Sequence, residues 1–408
     1  MDNLTHTLIG LVAGEAVARS ARPLPAGLSD PARRNALLAI GMIGGNLPDA
    51  DLLWSMPAIT GDPLDYVIHH RGHTHTLLGC VVLALLLFAA TVAVLRWRGH
   101  RLRAADAGLL GGMALLAVML HLGMDALNQY GVHPFWPWNN RWYYGDAVFI
   151  VEPLYWLAVA PLFFSLRTRA ARWFAGLALA IGSIAALVFH RFAAVAWALP
   201  VLSVLLVGVG RALTPRVASR LASGVLVAVS ATFWVTHALV LHRVQAVAAS
   251  QFPGASTLDI VLSPAPAHPL CWEVMLLQRS GADYVARIGQ LSLARSGQPC
   301  ARSLTTAGAA PLRPMQVPVS SGMRWRGQFE VDAAALARLA VTGCDTRRLA
   351  SFLRAPFAVE TRAGWVLGDL RYDRGADGGF AAMLIDPRTP AQCEQPIPWE
   401  SPRQDLGL

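Results

Sequence analysis

Apolar and polar residues fall into long blocks over the first 242 positions. Five apolar runs, Thr76–Leu95, Gly108–Ala126, Val148–Phe164, Trp173–Phe189 and Ala193–Gly210, approach or reach the length a helix needs to cross a bilayer. A sixth lies near Gly224–Leu241, and two shorter runs, Leu4–Ala18 and Ala36–Leu47, precede them all. This spacing predicts a mainly α chain that opens with a polytopic helical membrane domain over residues 1–244. No cleavable signal peptide is expected, because Met1 to His6 lacks a basic region and Glu15 breaks the first apolar run. After residue 245 the long runs stop. Short strand-like pieces follow at Trp272–Gln278, Tyr284–Leu293, Ala358–Thr361, Trp365–Tyr372 and Phe380–Ile385, with a short helix expected at Asp332–Ala340. Residues 245–408 are therefore expected to form an α+β domain large enough to bury its own core.

Composition agrees with the membrane reading: 54% of residues are hydrophobic, only 14% are charged, and the mean hydropathy is +0.43. The net charge of +9 comes from arginine alone, since the chain has no lysine. Those arginines gather beside the apolar runs: Arg96, Arg98, Arg101 and Arg103; Arg167, Arg169 and Arg172; Arg211, Arg216 and Arg220. If each long run crosses once, all three groups fall on one side, which the positive-inside rule makes cytoplasmic. Arg19, Arg22, Arg33 and Arg34 join them if the two short runs form a crossing hairpin. The amino terminus, the histidine-rich segment and everything after residue 242 then face outward. This placement accounts for the basic charge without a nucleic-acid partner. Four of the five cysteines, Cys271, Cys300, Cys344 and Cys393, lie in the outward domain and suit one or two disulfides, with three full pairings open. Cys80 reads as a small buried apolar residue.

Ionisable groups within membrane segments are costly and mark function. Four sets stand out: His6; Asp49 and Asp51; the segment His69-His70-Arg71-Gly72-His73-Thr74-His75; and His121 with Asp125 and Asn128. His121 and Asp125 are four residues apart and share one helical face, a spacing that offers a neutral nitrogen and an anionic oxygen to one ion. Asp49 and Asp51 follow Pro48 on a turn, where one could ligate metal and the other orient a histidine. On the topology above, all four sets reach the same membrane face. Each set also has a plainer reading: an interfacial histidine, a loop cap, a basic headgroup-facing edge, and a buried ion pair between helices. Trp136, Trp138, Trp142, Tyr143 and Tyr144 suit either an aromatic belt or a substrate groove.

Taken in order, Thr5-His6, Leu47-Pro48-Asp49-Ala50-Asp51, His70-Arg71-Gly72-His73-Thr74-His75-Thr76, His121-Leu-Gly-Met-Asp125-Ala-Leu-Asn128, Gly131, Pro134 and Trp136-Pro137 resemble the YdjM-type membrane-bound, metal-dependent hydrolases. The resemblance is strongest over residues 1–165 and is specific as an ordered set. One departure is His73, where that family usually carries an apolar residue. The resemblance implies a multi-pass protein of the bacterial inner membrane. It implies His70, His75, His121 and Asp125 as metal ligands, with Asp49 or Asp51 and His6 completing one or two divalent ions. The order of histidines and aspartates is also similar, more distantly, to zinc-dependent phospholipases C and P1-type nucleases, which favours zinc and phosphoester chemistry. On that basis Asp49 or Asp51 would accept a proton from water, and Arg71 would neutralise a substrate phosphate, with Asn128 and Trp136 on the substrate side. A site at the outer face suits a lipid-like or phosphoester substrate presented by membrane lipids. The rival expectation is a metal- or ion-handling membrane protein or transporter without hydrolase activity, and it requires polar residues spread through the later spans, which carry almost none. The oligomeric state is not legible in the sequence.

Overall fold

The structure is a computed structural model that describes residues 1–21, 27–189, 197–294, 300, 312–372, 379–386, 393 and 397–408. His190, Arg22 and the start of the Ala193–Gly210 run lie outside the described residues.

The first two helices, α1 (Asn3–Ser20) and α2 (Asp30–Gly44), pack antiparallel as a hairpin. Their backbones touch where Gly10 meets Gly41: a Cβ on Gly10 would stand 2.1 Å from the Gly41 carbonyl oxygen, so neither position has room for a side chain. This close approach sets His6, near the start of α1, against the end of α2. Beyond α2 the chain bends through a 3-10 turn at Pro48–Asp51 into three short helices, α3 (Leu52–Ser55), α4 (Pro57–Thr60) and α5 (Leu64–His69). Long helices follow: α6 (Leu77–Trp97), α7 (Ala104–Ala126), α8 (Arg169–Phe189), the shorter α9 (Ala198–Ala212) and α10 (Pro215–Gln251). Among the described residues, α6, α7, α8 and α10 are long and apolar enough to cross a membrane, and α2 with its bent continuation makes a fifth if counted as one span. The chain is a multi-pass helical membrane protein followed by a region of antiparallel sheets.

The run Val148–Phe164 departs from expectation. It is not a long α-helix but an extended stretch leading into a 13-residue 3-10 helix, Pro153–Ser165. Pro153 and Pro161 lack N–H donors, and an interior proline interrupts the α-helical ladder. Almost every residue from Pro153 to Leu162 is buried, with α1, α8, α9 and α10 packed around it. Its apolar composition reports burial within the bundle rather than lipid contact.

The carboxy-terminal half holds β1 (Ser256–Ala265), β2 (His268–Ser280), β3 (Asp283–Ser292), β4 (Arg313–Pro314) and β5 (Met323–Asp332) in one antiparallel sheet of order β1-β2-β3-β5-β4. Two helices follow, α11 (Ala333–Ala340), capped by Asp332, and α12 (Cys344–Ala350). A second sheet pairs β6 (Pro356–Thr361), β7 (Gly364–Asp369) and β8 (Ala382–Leu384). All five expected strands and the expected helix are present, while β1, β4, β5 and α12 were not foreseen. The signal for β5 is present in Met323-Arg-Trp325-Arg-Gly-Gln-Phe329-Glu-Val331, whose burial alternates with period two. Cys271 pairs with Cys300 and Cys344 with Cys393, which selects one of the three pairings, and Cys80 is free and buried.

This half does not carry a separate core. On β2, Trp272, Val274 and Leu276 pack into a cluster with Phe233, Val240 and Val244 of α10. The alternate residues Met275 and Leu277 face a second cluster that holds Phe352 and Phe357 together with Leu64, Val67, Ile68, Tyr130 and Trp142. Burial on both faces explains why Val274-Met275-Leu276-Leu277 is continuously apolar. Polar clasps cross the same boundary. Both Nη atoms of Arg354 lie 2.7 Å from the Asp146 carboxylate, Arg371 donates to the Gln129 carbonyl (2.8 Å), and Arg348 reaches Asp62 and Asp65 at 2.6 and 2.9 Å.

Candidate metal centre

Local structure delivers each donor. Thr76 caps α6, its hydroxyl accepting from the Gly79 amide (2.8 Å) and donating to the His73 carbonyl (2.9 Å), which fixes the turn carrying His75 at the helix mouth. Pro48 opens the turn that presents Asp49 and Asp51. The last turns of α7 bring His121 and Asp125 to one face, as their spacing requires.

Asp49, His75, His121 and Asp125 meet at one point, all buried. His75 Nε2 lies 3.0 Å from His121 Nε2. The two Nε2 atoms each stand 3.4 Å from Asp49 Oδ1, and 3.3 and 3.4 Å from Asp125 Oδ2. Four ligands held tetrahedrally at about 2.0–2.1 Å from zinc stand about 3.3 Å from one another, so these separations fit a single ion.

The outer atoms fix the protonation. His121 Nδ1 is 2.7 Å from the Gly45 carbonyl oxygen, which can only accept, so that nitrogen carries the proton. His75 Nδ1 lies 3.2 Å from Asp51 Oδ2 and is held the same way. A ring in this tautomer, with its proton on Nδ1, turns its Nε2 lone pair inward. Asp125 Oδ1 is engaged by His6 Nε2 (3.2 Å), by Arg71 Nη2 (3.2 Å) and by the Met1 amino group, whereas Oδ2 is buried with no hydrogen-bond partner. Two ring nitrogens and two carboxylate oxygens thus converge on one point, while Arg71 and the Met1 amino group hold only the outer oxygen of Asp125. An unpaired buried carboxylate oxygen is costly, and a cation at this point removes the cost. The donor set, two nitrogens and two oxygens, suits zinc and other divalent transition metals.

A second group, Asp49, Asp51 and His70, lies alongside and shares Asp49 with the first. His70 Nδ1 is 2.9 Å from Asp51 Oδ1, and Asp51 Oδ2 also accepts from the Arg71 amide (3.0 Å) and the Thr74 hydroxyl (2.9 Å). His70 therefore stands in the second group, and Asp51 orients both His70 and His75. Burial lowers the pKa of His70 below the ordinary histidine value, against the pull of Asp51. His6 stacks on His121 at 3.8 Å and bonds Asp125 rather than joining either group. Arg71, at φ 62°, is buried, donates to Asn128 Oδ1 (3.0 Å) and lies over the Tyr130 ring. Trp136 packs edge-on against His73 at 4.5 Å, outside both groups.

Several participants were not foreseen. Asn3 donates to Asp49 Oδ2 (3.1 Å), and Thr74 braces both Asp51 and His75. His133 is buried with Nδ1 3.3 Å from the Arg71 carbonyl and its ring stacked 3.6 Å from Trp399, and burial pushes its pKa down to about 3. Trp399 also donates to the Ile68 carbonyl (2.6 Å), so the carboxy-terminal segment closes over the histidine-rich turn. The hydroxyls flanking His75 were the one visible signal, since Thr-His-Thr offers a brace and a cap on either side of a ligand.

Residues 1–198 match the family described as YdjM inner membrane protein. The chain is 26% identical over 176 residues to the uncharacterized protein YfhP of Bacillus subtilis (strain 168), an alignment covering 43% of this chain and 47% of that protein. This chain thus spans about half the length of that relative. No solved structure matches.

Proposed function

We infer, from residues 1–198 as a YdjM-family membrane domain and from the donor set they bring together, that this protein is a metal-dependent hydrolase of the bacterial inner membrane. The observation that carries the reading is the convergence of His75 Nε2 and His121 Nε2 with Asp49 Oδ1 and with Asp125 Oδ2, which has no hydrogen-bond donor. A structural ion pair has no use for that arrangement. His75, His121, Asp49 and Asp125 would hold the first ion, and His70 and Asp51 with Asp49 a second. Zinc, when bound, lowers the pKa of a coordinated water toward neutrality and polarises a phosphoryl oxygen.

The remaining work falls to the chain's own groups. Asp51 accepts the Nδ1 proton of His70 and leaves its Nε2 lone pair available, while burial keeps the ring neutral near pH 7. With one ion bound, this dyad is the pair suited to take a proton from water and return it to a leaving group. Burial of the cluster excludes bulk water and strengthens each of these interactions. The arginine distribution supports an outward-facing site, and a site at that depth suits a phosphoester carried by a lipid-like molecule.

The test is hydrolysis of lipid phosphoesters in vesicles by the purified, zinc-loaded chain. Cleavage is expected, and it should disappear on chelation and in Asp49→Asn. Wild-type protein that retains no metal overturns the reading. Cleavage of amides or acyl esters with every phosphoester left intact overturns the reaction class.

A further inference from the structure

Beside the metal centre, four buried hydrogen-bond donors have no acceptor: Arg71 Nε, Asn128 Nδ2, Tyr130 Oη and Tyr372 Oη. They belong to one neighbourhood. Arg71 joins Asn128 through Nη1, its guanidinium lies 4.7 Å from the Tyr130 ring centre, and the Tyr130 and Tyr372 rings are 5.9 Å apart. Asn128 Oδ1 is already occupied by Arg71 and by the Tyr130 amide (2.8 Å), which leaves only its donor end free. Aromatic rings surround these groups: Tyr66 stands tilted against His70 at 4.7 Å and meets Phe380 at 5.3 Å, and Tyr372 meets Phe380 at 5.2 Å. Burial raises the pKa of the Tyr372 hydroxyl to about 12 and that of Tyr130 further, so both remain protonated donors at neutral pH.

Each buried polar group left without a partner costs about 1–3 kcal/mol, and four in one neighbourhood are hard to explain as packing. All four can donate, two of them can only donate, and one belongs to a guanidinium. An anion with several acceptor oxygens would satisfy all four. Arg71 also bonds Asp125, which ties this pocket directly to the metal centre.

We propose that Arg71, Asn128, Tyr130 and Tyr372 form a phosphoryl-binding pocket next to the metal centre, and that the carboxy-terminal half completes it by supplying Tyr372. The proposal rests on the metal-dependent reading for its role in catalysis, but not for its ability to bind an anion. It gives the carboxy-terminal half a task in substrate recognition, and it names the substrate class as one whose reacting group bears a phosphoryl charge.

The test uses the full chain in detergent, with and without zinc, and inorganic phosphate as the probe in titration calorimetry. Tyr372→Phe and Tyr130→Phe remove single oxygen atoms and keep the rings. Each is expected to weaken phosphate binding about tenfold, the scale of a hydrogen bond to a charged group. Metal content should stay unchanged, and so should the thermal midpoint without phosphate, while the rise in midpoint that phosphate gives should shrink. A merely structural role would move both midpoints together. Phosphate affinity unchanged in both variants overturns the pocket, as does wild-type protein that binds no phosphate. Zinc-dependent hydrolysis that persists in Tyr372→Phe at unaltered KM overturns the pocket and leaves the metal reading intact. Phosphate binding that depends on Tyr372 in a chain that holds no metal does the reverse.

Discussion

Helices α1, α2 and α7 bury charge at both of their ends, and the two ends are built differently. At one end Asp106 accepts from Arg33 Nε (3.0 Å), the Leu28 amide (3.0 Å) and the Arg103 amide (3.4 Å), while Glu15 is held by Arg34 and Arg19. Each of these carboxylate oxygens has a donor, and each of these carboxylates has an arginine. Roughly 25 Å along α7, at its other end, Asp49 and Asp125 face imidazoles whose protons point away. One oxygen there, Asp125 Oδ2, has no hydrogen-bond donor, although Arg71 holds the other oxygen of the same carboxylate. Burial and residue class are alike, so neither separates a structural cluster from a candidate site. The direction of the donors does. The first end has a donor for every carboxylate oxygen, and the second gathers two ring nitrogens and two carboxylate oxygens that could hold a metal ion.

The largest effect should come from His121→Ala. It is expected to bring bound zinc to background by elemental analysis, whereas Asp106→Ala should leave zinc at the wild-type level. Equal zinc in both would erase the distinction between the ends. Next, Asp106→Ala should lower stability by about 1–3 kcal/mol, because Arg33 Nε and the Leu28 amide lose their acceptor while Arg33 keeps Asp30, and chemical denaturation in detergent reads this directly. Zinc failing to rescue that variant while restabilising a chelated wild type would sharpen the contrast. A smaller effect is expected from Asp51→Asn, which keeps the shape but weakens the hold on His70 and His75. Zinc affinity should fall about 10- to 100-fold, as for other groups that orient a ligand, and unchanged affinity would remove Asp51 from the centre. The smallest is Thr74→Val, which loses one hydroxyl brace and should cost about 0.5–1.5 kcal/mol in metal-bound stability.

The closed end also corrects the charge reading. Arg33 and Arg34 count toward the basic loops by position, yet both are buried and answer Asp106 and Glu15. Glu15, which looks like an interruption of an apolar run, is half of such a pair. Sequence position shows that a charge adjoins a span but not whether a second helix supplies its partner. The same limit applies to Val148–Phe164, where burial by protein and burial by lipid select the same apolar residues. The residues that meet in the buried cluster were legible because helical spacing, a proline turn and a threonine cap are local rules. Tyr372, Trp399 and His133 were not, since their contacts cross as many as 331 positions of chain.

The amino-acid order alone picked out the donors that meet in the buried cluster, two on the last turns of α7 and the rest on turns beside helix ends, because helical spacing, proline turns and caps act over a few residues. Which histidine nitrogen faces the cluster was settled by packing, since the Gly45 carbonyl and Asp51 that choose it come from other elements. It also decided that the carboxy-terminal half closes over the centre. Both follow from packing, where a donor's direction is set by whichever distant group is brought within about 3 Å of it.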